Sequence, residues 1–234
     1  MEVTGESLPA RPVVAPPRPA RRRGAPTPWL QPGIFIGALV PLAAIVWRTF
    51  QGTLSANPIA EIINELGLAA IIFLVASLAC TPARWVFGWT WPVRVRRELG
   101  LFAFFYAVLH FLMYLVDQTF DLGIILEDIA LRPFITVGFL ALVLMVPLAV
   151  TSTSGAVRRL GFRRWQRLHY LTYAAGILAV VHFIWRVKID LSQPMMYATV
   201  LAVLLLIRVA FWLRKRRISG AGGGAAPSGP APAS

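Results

Sequence analysis

Residues 158–186 read RRLGFRRWQRLHYLTYAAGILAVVHFIWR: a basic approach, then an apolar run from about Leu168 to Val187 that carries two of the chain's three histidines. His169 stands where the basic flank enters the apolar run. His182 lies deeper, between Val181 and Phe183, and the third, His110, sits mid-way along another apolar stretch. An ionisable side chain inside a hydrocarbon-spanning segment is costly, so its presence is a mark of function. Imidazoles that face the interior of a helix bundle commonly ligate iron. The stretch therefore points to a membrane helix bundle that holds haem.

The rest of the composition agrees. The chain is 57% hydrophobic and only 14% charged, with mean hydropathy +0.67, which is too apolar for a soluble domain of 234 residues. Apolar runs of the roughly 20 residues needed to cross a bilayer recur along it. A formal charge of +13 raises the possibility of nucleic-acid binding, but the basic residues fall in short clusters at the ends of apolar runs, as topology signals do. Nucleic acid is excluded on that ground. The single cysteine, Cys80, allows no internal disulfide, and there is no C-x-x-C-H, so the expected haem is b-type, held without thioether links.

Six spans follow in order. Residues 1–30, rich in Pro, Ala and Arg, read as a disordered cytoplasmic tail. The first helix runs from about Ile34 to Phe50 with a kink expected at Pro41, and the second from about Ile59 to Ala79, stopping at Thr81-Pro82. The stretch RWVFGWTWPVRVRRE reads as a headgroup-level loop. The third helix runs from about Leu99 to Val116, and an acidic loop with Asp117, Asp121, Glu127 and Asp128 follows. The fourth spans Pro133 to Val150, the fifth is the opening stretch, and the sixth runs from about Met195 to Leu213. Residues 31–217 thus form one transmembrane domain, and 218–234, rich in Gly, Ala and Pro, a second disordered tail. Eighteen of the 23 Lys and Arg residues lie before the first helix, in the second and fourth connections, and after the sixth. With six helices all of these fall on one side, which places both termini in the cytoplasm.

This topology converts position into depth. At 1.5 Å per residue His110 lies about 17 Å from the basic side and His182 about 20 Å. The two are level, and opposed imidazoles can fill both axial positions of one iron, which favours electron transfer over oxygen chemistry. His169 has no histidine at its level; counting fourteen back from His110 reaches Arg96. It is open to three readings: ligand to a second haem, contact to a flavin or quinone, or interfacial anchor. Arg164 and Arg167 suit pairing with haem propionates or a flavin phosphate, and equally suit a topology role. Tyr106, Tyr114, Tyr170 and Tyr173 flank the histidines as candidate cavity residues. No nucleotide-binding loop or zinc spacing is present, so reducing equivalents come from elsewhere.

RRELGLFAFFYAVLHFLMYLVDQ, PFITVGFLALVLMVPLAVTSTSGAVRRLG, RRWQRLHYLTYAAGILAVVHF and LACTPAR resemble the bacterial MsrQ (YedZ) family, within the ferric-reductase-like transmembrane group, over about Leu30 to Lys215. The resemblance implies a haem-binding inner-membrane subunit of a periplasmic protein-methionine-sulfoxide reductase. It further implies haem b and FMN as cofactors, electrons from the quinone pool, and a molybdopterin-containing catalytic partner, MsrP. The family's three histidines fall on His110, His169 and His182. The expectation is an electron-transfer subunit rather than the reductase itself, with one haem or two. A stand-alone ferric-reductase-like cytochrome and a cofactor-free transporter or scaffold are the alternatives.

Overall fold

The computed structural model describes residues 29–221, all of whose regular structure is helical: α1 (Leu30–Phe50), α2 (Pro58–Phe87), α3 (Trp91–Asp117), α4 (Leu122–Leu131), α5 (Pro133–Val150), α6 (Ser154–Leu160), α7 (Phe162–His169), α8 (Leu171–Arg186) and α9 (Ser192–Ala221). Among the described residues, six spans are long and apolar enough to cross a membrane: α1, α2, α3, α5, α7 continued by α8, and α9. The protein is a multi-pass, all-helical membrane protein. The tails expected at the two ends fall largely on residues 1–28 and 222–234, outside the described residues.

The helix ends follow local chemistry. Asn57 caps α2 by accepting a hydrogen bond from the Ala60 N–H (3.2 Å), with Pro58 in the first turn, and Gly88 closes the helix in the left-handed conformation at φ +72°. Asp121 caps α4 through Gly123 and Ile124.

Helix α2 is the spine, contributing to all three buried clusters. Leu66 and Ala69 pack with Ala38, Ile45, Phe102 and Tyr106. Ile71, Val75 and Leu78 meet Val180, Leu201 and Leu204. Leu74 meets Ala103, Met145 and Ala175. The outer helices leave large apolar side chains such as Leu39, Leu112, Val143 and Leu206 exposed, as a hydrocarbon surround requires.

Two prolines interrupt helices in ways that only packing repairs. Pro82 does not end the second helix at Ala79 as the sequence suggests; α2 runs on to Phe87. Proline removes the N–H that would bond the Leu78 carbonyl four residues back, and Arg208 of α9 donates to that oxygen instead (2.6 Å). At Pro41, α1 is continuous, and the Tyr106 hydroxyl bridges the neighbouring rung: it donates to the Ala38 carbonyl (2.6 Å) and accepts from the Leu42 N–H (3.2 Å). A side chain inserted into the ladder keeps both backbone groups satisfied where no water is available.

Other boundaries also differ from expectation. The aromatic and basic stretch after α2 is a loop only at residues 88–90; Arg94, Arg96 and Arg97 belong to α3. The acidic connection contains α4, whose Asp128 is buried between Tyr114 and Arg132. The fifth span breaks at Tyr170 into α7 and α8.

Candidate haem site

His110 on α3 and His182 on α8 lie side by side, with ring centres 6.1 Å apart and planes nearly perpendicular at 82°. Both are seated in the same way. His110 Nδ1 donates to the Ile63 carbonyl of α2 (2.8 Å), and the ring rests on Gly67, where a Cβ would lie 2.9 Å from Nδ1. His182 Nδ1 donates to the Phe134 carbonyl of α5 (2.7 Å), and its ring rests on Gly138, where a Cβ would lie 2.6 Å from Nδ1. In each case the carbonyl belongs to the residue one turn before the glycine. A carbonyl only accepts, so both Nδ1 atoms carry the proton and both Nε2 atoms keep the lone pair that binds a metal. Fixing a ligand's tautomer and ring orientation through its other nitrogen is the usual support for a metal-bound imidazole.

The two rings line a cavity of about 820 Å³ enclosed by α2, α3, α5 and α8. Its size falls within the roughly 300–1,000 Å³ of cofactor pockets. Ala103, Ala107, Ala141 and Ala179 keep its walls low, and Leu74 and Met145 lie at its apolar end. Two imidazoles on opposite sides of one metal ion, each with its nitrogen about 2 Å away, have ring centres roughly 6 Å apart. The donor set and the space therefore fit a bis-histidine haem.

Residues 63–180 match the family described as ferric reductase like transmembrane component. Over 188 residues the chain is 51% identical to the protein-methionine-sulfoxide reductase heme-binding subunit MsrQ of Deinococcus radiodurans, covering 80% of this chain and 93% of that one. The protein of the same name from Rhodospirillum rubrum is 52% identical over 185 residues, 79% of this chain and 89% of its own. The chain belongs to the MsrQ family. The stretch matched to the ferric reductase family begins at Ile63, which holds His110, and ends two residues before His182.

Other residues singled out from the sequence of this MsrQ family member are dispersed. His169 ends α7 at the basic end, away from the cavity: its Nε2 meets Thr151 Oγ1 (3.2 Å), and its ring packs on Trp165 with centres 4.1 Å apart. Trp165 in turn donates to the Thr151 carbonyl (2.9 Å), so the three form one unit at the end of α5. Arg96 interacts electrostatically with His169 and bonds Thr81 (3.3 Å). Arg164 and Arg167 are exposed on α7 and do not line the cavity. Of the four tyrosines only Tyr114 lines it, donating to Asp128 (3.0 Å). Tyr106 serves α1, Tyr170 is exposed, and Tyr173 accepts from Arg208 (3.2 Å).

The cavity opens toward the acidic end, where Asn64, Asp117, Arg132, Arg186 and Gln193 line its mouth. Asp190 is also there, and the hydroxyl and backbone N–H of Ser192 hold its carboxyl below the ordinary range. Sequence reasoning missed Gly67, Gly138 and Arg186. A glycine isolated in an apolar helix costs about 1 kcal/mol against alanine and signals close approach of a neighbour, so the two glycines carried a readable signal.

Proposed function

We propose that this protein is the haem-carrying membrane subunit of a methionine-sulfoxide reductase system. In this reading it passes electrons from the quinone pool or a flavin donor to a periplasmic reductase, MsrP, that repairs oxidised proteins. The observation that carries the reading is the pair His110 and His182: two Nδ1-anchored imidazoles with ring centres 6.1 Å apart, in a cavity between α2, α3, α5 and α8 whose walls include Ala103, Ala107, Ala141 and Ala179.

When bound there, haem b would be held by His110 and His182 and would supply one-electron chemistry. The chain's own residues do the rest. Ile63 and Phe134 hold the imidazoles in one tautomer, Gly67 and Gly138 set how closely they approach the helices, and the apolar floor excludes water. With His110 and His182 both committed to the iron, the site would favour electron transfer over oxygen activation. At the basic end His169, Arg164 and Arg167 mark the side of electron entry, where a second haem or FMN is accommodated. The positive-inside pattern supports a cytoplasmic position for that end, in a bacterial inner membrane.

The test has two stages. The purified reduced protein is expected to show a low-spin b-type spectrum that His110→Ala and His182→Ala each abolish, with a smaller effect from His169→Ala. Full haem in either of the first two variants would falsify the pairing, and absence of any haem spectrum would favour a cofactor-free transporter or scaffold. Next, quinol or reduced flavin should drive sulfoxide reduction by MsrP only with this protein present. Ferric iron reduced instead of MsrP would support the stand-alone ferric-reductase reading.

A further inference from the structure

Arg186 stands four residues beyond His182 on α8, which puts it on the same face one turn, about 6 Å, nearer the acidic end. It lines the cavity that holds both histidines and is half-buried. The mouth has a second guanidinium, Arg132, but that one is neutralised by Asp128 at 2.9 Å. Arg186 makes no ion pair among the described residues. The nearby carboxylates are committed or turned elsewhere: Glu65 is bound by Arg48, Asp190 accepts from the Ser192 N–H (2.9 Å), and Asp117 accepts from Gln118 (3.4 Å). The last turn of α8 offers Arg186 only the partial negative charge of a helix terminus. A half-buried cation without a full counter-charge is expensive, and a guanidinium is shaped for bidentate bonding to a carboxylate.

We propose that Arg186 anchors a propionate carboxylate of the haem held by His110 and His182, so that the cofactor's polar edge faces the cavity mouth and its apolar edge faces Leu74 and Met145. This assignment rests on the haem reading above. It places the propionate contact at the acidic end, not at Arg164 and Arg167 on α7.

The test compares haem b with its dimethyl ester, in which both propionates are uncharged, for retention by purified apoprotein. Wild-type protein should retain haem at least about tenfold better than the ester, the scale of one charge-assisted bond. In Arg186→Gln that preference should collapse, with haem held no better than ester and both still low-spin. Arg186→Lys, which keeps charge but loses the fork, should fall between. Equal retention of haem and ester by the wild type, or an undiminished preference in Arg186→Gln, would overturn the assignment. Should Arg186→Gln fail to fold, the wild-type comparison and Arg186→Lys still decide it. Failure of wild-type protein to give a low-spin spectrum with either compound refutes the haem reading itself, an outcome distinct from the other two.

Discussion

Adding one methyl group at Gly138 should disable the site from the neighbouring helix α5. The new Cβ would lie 2.6 Å from Nδ1, 2.8 Å from Cε1 and 3.0 Å from Cγ of His182, so it meets the face of the ring rather than the end of a flexible chain. Restoring ordinary contact requires the imidazole to retreat by about 1 Å, since carbon atoms pack at roughly 3.5–4.0 Å. That movement, along the ring normal, carries Nδ1 off the line of its 2.7 Å bond to Phe134 and weakens it. The weakened bond costs up to about 1 kcal/mol, and overpacking about 1–3 kcal/mol more. Disturbing an imidazole's supporting partner lowers metal affinity, by about 10- to 100-fold where the partner is removed outright. Gly138→Ala should therefore lose most of its haem, read as absorbance per protein in detergent. Gly67→Ala, at 2.9 Å, should follow the same course less severely. Gly37→Ala is the control, because nothing lies within 4 Å of its Cβ position. Full haem with an unchanged low-spin spectrum in Gly138→Ala would refute the argument that the glycine seats the ligand.

Tyr106→Phe should lower thermal stability by about 2 kcal/mol or more while the haem spectrum stays unchanged, because the Ala38 carbonyl and Leu42 N–H lose their bridge in a water-free setting; a concurrent loss of haem would contradict the assignment of Tyr106 to α1. Asp117→Asn with Glu127→Gln should slow electron delivery to MsrP at low salt, whereas Asp128→Asn should act on stability, since Asp128 is buried under Tyr114 and Arg132. The rate of MsrP reduction against ionic strength, set beside melting curves, separates the two. Tags at either terminus should be accessible only from the cytoplasm, and protease cleavage of the amino-terminal tail from the periplasm would overturn that orientation.

The sequence by itself determined the class, the number of spans and the levels of the histidines. Length, apolarity and the placement of charge are properties that a membrane imposes segment by segment, and each can be read without knowing a neighbour. His110 and His182 could be set at one depth because helical rise is constant. Which groups support them was decided only by tertiary structure, because that support crosses between helices 47 and 48 residues apart in the chain. The same holds for the prolines. Pro82 read as a helix stop because proline removes a backbone donor, but the freed Leu78 carbonyl found Arg208, 130 residues away, and α2 continued. Asp128 looked like one of four surface acids until α4 folded it beneath Tyr114. In each case a local rule described the cost correctly, and a distant side chain, brought close by packing around α2, supplied the compensation.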